Sequence, residues 1–167
     1  PPRSTLFPYT TLFRSDRFWM YWGESSLFLA SSEDLISWEI LCDESGSPMP
    51  VMDPRPGRFD SLLVEPGPPP LLTEHGILLL YNAANADCPG LAHRSYSPGQ
   101  ALFDPENPAR LLDRTQEPFL RVEEADEVWG QVPNVVFIEG LVHHKGRWLL
   151  YYGTADSLIG VASCPAG

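Results

Sequence analysis

Two glutamates beside turn formers are the residues through which this chain could do acid–base chemistry. Glu24 follows Tyr21-Trp22-Gly23, and Glu65 precedes Pro66-Gly67-Pro68-Pro69-Pro70. Both are expected where a strand opens onto a loop. Two carboxyls brought together from separate segments can divide the labour of hydrolysis, one protonated and donating to a leaving group, the other ionised and taking a proton from water. The plain alternative is that each is a solvated turn residue, as most glutamates are.

Other chemistry-bearing types are less telling. His143-His144-Lys145-Gly146 is expected to be a hairpin tip and not a metal site, because adjacent histidines in a strand point to opposite faces. Cys42, Cys88 and Cys164 are an odd number with no close pair, so neither a disulfide framework nor a metal-binding Cys-x-x-Cys is supported. Trp19, Trp22, Tyr81, Trp148, Tyr151 and Tyr152 could stack on sugar rings, but aromatics in strands mostly belong to the core.

Charge narrows the partners. The chain carries 22 Asp+Glu against 11 Lys+Arg, a formal net charge of −11. Nucleic acid and anionic membranes are bound through clustered Lys and Arg, so neither is expected as a partner. No apolar run reaches the roughly 18 residues a membrane-spanning helix needs. Residues Thr5 to Ser15 read as the in-frame translation of a sequencing-library adapter, so residues 1–15 are expected to be non-native and residues 16–167 to be the domain. From the strand-like start at Phe18 and the stop at Cys164-Pro165-Ala166-Gly167, truncation at both ends is expected.

The elements that must carry the acids come from a repeat. Arg17-Phe18-Trp19-Met20-Tyr21-Trp22-Gly23, Gly76-Ile77-Leu78-Leu79-Leu80-Tyr81-Asn82 and Gly146-Arg147-Trp148-Leu149-Leu150-Tyr151-Tyr152-Gly153 are three versions of one strand, their tyrosines 60 and 70 residues apart. Each is a continuous apolar-aromatic run between turn formers, which predicts a strand buried on both faces. The first and third copies lead through a turn into a second strand, Ser26–Ser31 and Leu158–Ser163, so a hairpin is reused. Ser32-Glu33-Asp34-Leu35 could cap a single helical turn, but no stretch keeps helical apolar spacing, and 18 prolines favour extended and turn geometry. The pattern predicts an all-β chain of propeller type, with long loops between strands.

Three segments carry a resemblance to a known family: Phe18–Glu24 with Leu29–Trp38, Phe59–Pro70, and Tyr96–Asp156. Its most specific parts are Gly130-Gln131-Val132-Pro133-Asn134-Val135-Val136-Phe137 and Tyr151-Tyr152-Gly153-Thr154-Ala155-Asp156-Ser157. The chain resembles glycoside hydrolase family 130, which implies a five-bladed β-propeller, of which this length would hold about three blades. The family comprises inverting phosphorylases, which attack a β-mannoside with inorganic phosphate, and a hydrolase branch that uses water.

Phosphorylases of the family resemble this chain around Tyr96-Ser97-Pro98-Gly99 but place an arginine where Ser97 stands, while a second phosphate arginine maps onto Arg114. Serine cannot supply the paired charge-assisted bonds of a guanidinium. Hydrolase members carry glutamates matching Glu24 and Glu65. The resemblance therefore implies an inverting hydrolase of β-1,2-linked mannosides, with Glu24 and Glu65 as general acid and base, needing the two carboxyls about 6.5–9.5 Å apart. It implies an oligosaccharide substrate and no cofactor or metal, with inorganic phosphate required only in the phosphorylase alternative. A non-catalytic sugar-binding propeller is the other alternative. Asp60, Arg114, Asn134 and Asp156 are the expected substrate contacts. Asp60 and Asp156 can equally be turn aspartates, and Asn134 a strand-opening residue.

Overall fold

The computed structural model describes residues 11–14, backbone only, and 16–166. The expectation placed on residues 1–15 therefore lies largely outside the described residues. Of these, Thr11–Arg14 enters as a strand paired with Arg17–Trp22.

Among the described residues, thirteen strands form three antiparallel sheets. The first orders β1 (Thr11–Arg14), β2 (Arg17–Trp22), β3 (Leu27–Ser32) and β4 (Glu39–Ile40), with β5 (Pro50–Met52) also on β3. The second contains β6 (Leu63–Pro66), β7 (Leu71–Thr73), β8 (Gly76–Ala84), β9 (Tyr96–Phe103) and β10 (Leu111–Arg114), ordered β10-β9-β8-β6 with β7 also on β8. A single short helix among the described residues, α1 (Ala125–Val128), leads to the third sheet, β11 (Val136–His144), β12 (Arg147–Thr154) and β13 (Leu158–Pro165).

The two-residue period of β8 explains how the sheets stack. Ile77, Leu79, Tyr81 and Ala83 join Tyr21, Leu27 and Leu29 of the first sheet in the main core. Leu78 and Leu80 face the other way, onto Ile138, Leu141, Leu150 and Tyr152 of the third sheet. β8 is thus buried on both faces, as its apolar run predicts. β2 and β12 are not: their equivalent runs are largely half-buried, and Tyr151 on β12 is 40% exposed. β8 alone of the three lies between two other sheets, so identical patterns meet different surroundings.

The reused hairpin is present twice, as β2-β3 and β12-β13. The His143-His144-Lys145-Gly146 run is a hairpin tip, with Lys145 and Gly146 both at positive φ and His144 paired to Arg147. Ser32–Ser37 forms no helix. Ser32 Oγ accepts from the Asp34 and Leu35 amides, and Asp34 Oδ1 accepts from those of Ile36 and Ser37, which turns the chain sharply with Leu35 at φ 64°. α1 was not signalled by apolar spacing. A capping box between Glu124 and Glu127 holds it, and the buried Glu127 carboxylate also accepts from Tyr152 Oη at 3.0 Å.

Candidate active site

Glu65 lies inside β6, not on a loop beyond it, and pairs directly with Asn82 of β8. Opposed residues of an antiparallel pair project to one side, so Glu65 shares the face that Asn82 turns towards the third sheet. Two residues on, the backbone presses against that sheet: a Cβ at Gly67 would sit 2.8 Å from Leu80 O and 2.9 Å from Ile138 Cδ1. Glu65 is half-buried. Burial raises its carboxyl pKa, and the charges of Glu24 and then Glu139 raise it further.

Glu139 is the residue that sequence reasoning missed. It sits in β11 where the register slips, Ile138 opposing Tyr152 and Gly140 opposing Tyr151, which leaves Glu139 as the bulged residue. Burial raises its pKa as well. The available signal was a lone acid between Ile138 and Gly140, inside the apolar run Val136–Val142 of that strand. Such a residue on a bulge is re-aimed by the local kink.

These two glutamates line one cleft of about 370 Å³ together with Tyr96, Val132, Val135, Phe137 and Asp156. Val135, Phe137 and Glu139 follow the two-residue period of one strand face. Tyr96 starts β9, its ring tilted on Phe137 at 6.0 Å between centroids. Its hydroxyl is held protonated by partial burial, then by the charges of Glu65, Glu24 and Asp156, with Arg94 acting oppositely. Asp156 hangs over the cleft from the β12-β13 turn, at φ 52°, on a turn docked by the Ala155 amide to Val135 O. Glu24, two residues past β2, is exposed and stands outside the lining, close enough to act on Glu65 and Tyr96 through its charge. Among the described residues no Lys or Arg lines this cleft, and no three His, Cys, Asp or Glu side chains converge to hold a metal ion.

The remaining expected contacts lie elsewhere. Asp60 is fully buried, accepting from Arg55 Nε at 3.1 Å and Tyr81 Oη at 2.9 Å, with Arg114 Nη1 at 3.4 Å. Arg114 also donates to Asp53 O at 2.8 Å. Asp60 is thus enclosed in a charged network between the first two sheets, whereas Arg114, partly buried, also lines an open pocket of about 590 Å³ with Gln100 and Thr115. Asn134, at φ 60°, accepts from the Tyr96 amide through its carbonyl and lines a separate pocket of about 170 Å³ with Ser97. Strand alternation turns Ser97 away from Tyr96, so the position compared with the phosphate arginine does not open into the acidic cleft.

Residues 3–166 match the family of glycoside hydrolase family 130 described as β-1,4-mannooligosaccharide phosphorylase. A 1,2-β-oligomannan phosphorylase of Thermoanaerobacter sp. (strain X514) is 35% identical over 136 residues, 81% of this chain and 42% of the relative. One solved structure comes from work showing that this family of mannoside phosphorylases contains glycoside hydrolases that target β-1,2 mannosidic linkages in Candida mannan. It superposes with a TM-score of 0.90 at 42% identity, covering 92% of this chain and 44% of that one. A glycosyl hydrolase from Bacteroides ovatus superposes at 0.88 with 44% identity, over 90% of this chain and 43% of its own. The chain spans less than half the length of these relatives. Its sequence match and three-sheet architecture together establish that the chain belongs to glycoside hydrolase family 130.

Proposed function

We propose that this chain is part of an inverting hydrolase of β-1,2-linked mannosides, its three sheets being three blades of a five-bladed propeller. The observation that carries hydrolysis is the cleft itself: Glu65, Glu139 and Asp156 surround it, Glu24 acts on it from outside, and among the described residues no cation lines it. Inorganic phosphate entering there would meet like charges, which disfavour an anion, whereas water and neutral sugar hydroxyls suit such a lining. Among superposed structures, the identity is 42% to the one described with β-1,2-mannoside hydrolases and 27% to the β-1,2-mannobiose phosphorylase from Listeria innocua, which supports the same choice.

In this reading Glu65 is the general acid. It bears the desolvation and both neighbouring charges, which favour the protonated form needed to give a proton to the leaving oxygen. Glu139, raised by burial with no neighbouring charge added, is the carboxylate assigned to take the proton from the attacking water. Glu24, paired with Glu65 by the sequence, becomes the charge that keeps the acid protonated. Tyr96 and Asp156 hold sugar hydroxyls. The Asp60–Arg55–Arg114 network supports the floor without touching the substrate.

The test is product analysis with the full-length protein on β-1,2-mannobiose, with and without phosphate. Mannose released at an equal rate in both supports hydrolysis. Phosphate-dependent release of mannose 1-phosphate would replace this reading with phosphorolysis.

A further inference from the structure

We infer that Asn82 is the positioning residue that fixes the Glu65 and Glu139 carboxyls relative to each other, by clamping the two sheets at the bulge. The inference rests on the reading of their cleft as a reaction site, but its geometry is independent of it. Asn82 has no exposed surface. Its Nδ2 donates to Ile138 O at 3.0 Å, and its Oδ1 accepts from the Ile138 amide at 2.7 Å. Both ends of the amide therefore serve one residue of another sheet, 56 positions along the chain.

The location of this clamp gives it its consequence. β11 is the edge strand of the third sheet, so the outward N–H and C=O of Ile138 have no ladder partner within that sheet. Leaving such groups buried and unpaired is costly, and the side-chain amide meets both with the geometry of a peptide group. Ile138 is also the last paired residue before the register slips to Gly140. The next residue is Glu139, and the residue opposite Asn82 is Glu65. One primary amide thus ties β8, at the position opposite the acid, to the strand of the base, at the position just before it. Gly67, whose missing side chain lets the β6 segment touch Ile138, closes the contact from the other side.

Separation of the two carboxyls decides whether a water fits between them, which is the geometric requirement of single-step hydrolysis. The charged groups acting on Glu65 are Glu24 after β2 and Glu139 on β11, while the neutral phenol of Tyr96 and the Asp156 carboxylate share its cleft. Of these, Glu139 is the one whose distance Asn82 sets.

The experiment compares Asn82→Ser with Leu80→Ala in the full-length protein. Leu80 belongs to the same contact between sheets, 8% exposed, and packs on Ile138 without hydrogen-bonding its backbone groups. Carbon-13 titration of the glutamate side chains is followed for each, with amide exchange at Ile138 read alongside. Asn82→Ser is expected to speed exchange at Ile138 and to move the Glu65 titration down by about half a pH unit, as burial and repulsion relax. It should lower kcat on a β-1,2-mannoside about 10-fold to 100-fold with little change in KM. Leu80→Ala should cost stability yet leave the Glu65 titration in place and kcat within about threefold. Unmoved Glu65 and Glu139 titrations in a folded Asn82→Ser protein would overturn the clamp. If Asn82→Ser does not fold, Asn82→Asp, which keeps the acceptor for the Ile138 amide and loses the donor to Ile138 O, must still speed exchange at neighbouring Glu139, or the clamp falls. A moved titration with unchanged kcat would uphold the clamp and sink the catalytic reading of the cleft instead.

Discussion

Glu139 on β11 and Glu65 on β6 face one cleft from two different sheets, and the charge of Glu139 helps hold the Glu65 carboxyl above its ordinary range. In the proposed reading this relationship separates roles among acids that look alike in the chain. Burial and the charges of Glu24 and Glu139 all favour the protonated Glu65 carboxyl, Glu24 acting from outside the cleft lining.

Glu65→Gln and Glu139→Gln should each lower kcat by about 10²-fold to 10⁴-fold while a β-1,2-mannoside still binds. Glu24→Gln should keep kcat within about tenfold. Removing its charge lowers the Glu65 pKa, so the alkaline limb of kcat/KM should move to lower pH. A pH–rate series on the three variants checks this, and an inactive Glu24→Gln beside an active Glu139→Gln would return the base role to Glu24.

The same shifts predict a stability signature. A carboxyl whose folded pKa is raised contributes stability that is full below the ordinary glutamate value of about 4.3 and is lost as pH climbs through the folded value. Glu65 and Glu139 are raised in this way, so their charges oppose folding at neutral pH. Each Glu→Gln variant should therefore melt about 1 to 3 °C above the parent at pH 7, solvent screening keeping the effect small, and the gain should vanish near pH 4. Thermal melts at the two pH values measure it.

Asp60→Asn should act on folding before chemistry. It leaves Arg55 and Arg114 facing a neutral amide in a buried site, which costs about 3 to 5 kcal/mol when one partner of a buried pair is lost. Urea unfolding gives the value. A variant of undiminished stability but no activity would instead show that Asp60 reaches the substrate.

Gly67→Ala should destabilise by about 1 to 3 kcal/mol, since its Cβ would press on Leu80 O and Ile138 Cδ1. Because Ile138 precedes Glu139, kcat should fall with stability. Denaturant midpoints and single-substrate kinetics on the same preparation test both.

Sequence alone determined the all-β class, the reused hairpin and the Lys145-Gly146 tip, because apolar-aromatic runs between turn formers are local signals, and it gave the family through a resemblance carried by the Gly130–Phe137 and Tyr151–Ser157 motifs. It singled out Glu65 and Asp156, whose flanking motifs are distinctive, and both line the cleft. Tertiary structure decided the rest. The runs containing Tyr81 and Tyr151 read alike, yet only the first lies between two sheets, so burial was not written in either pattern. Asp60 and Arg114 read as ligand contacts, and the structure joins them in one charged network, because Arg55, 5 residues away, and Tyr81, 21 away, converge on the same carboxylate. Glu139 became visible only through a register slip in β11 and the amide of Asn82, 56 residues before Ile138, and a contact of that range has no periodicity for a sequence to display.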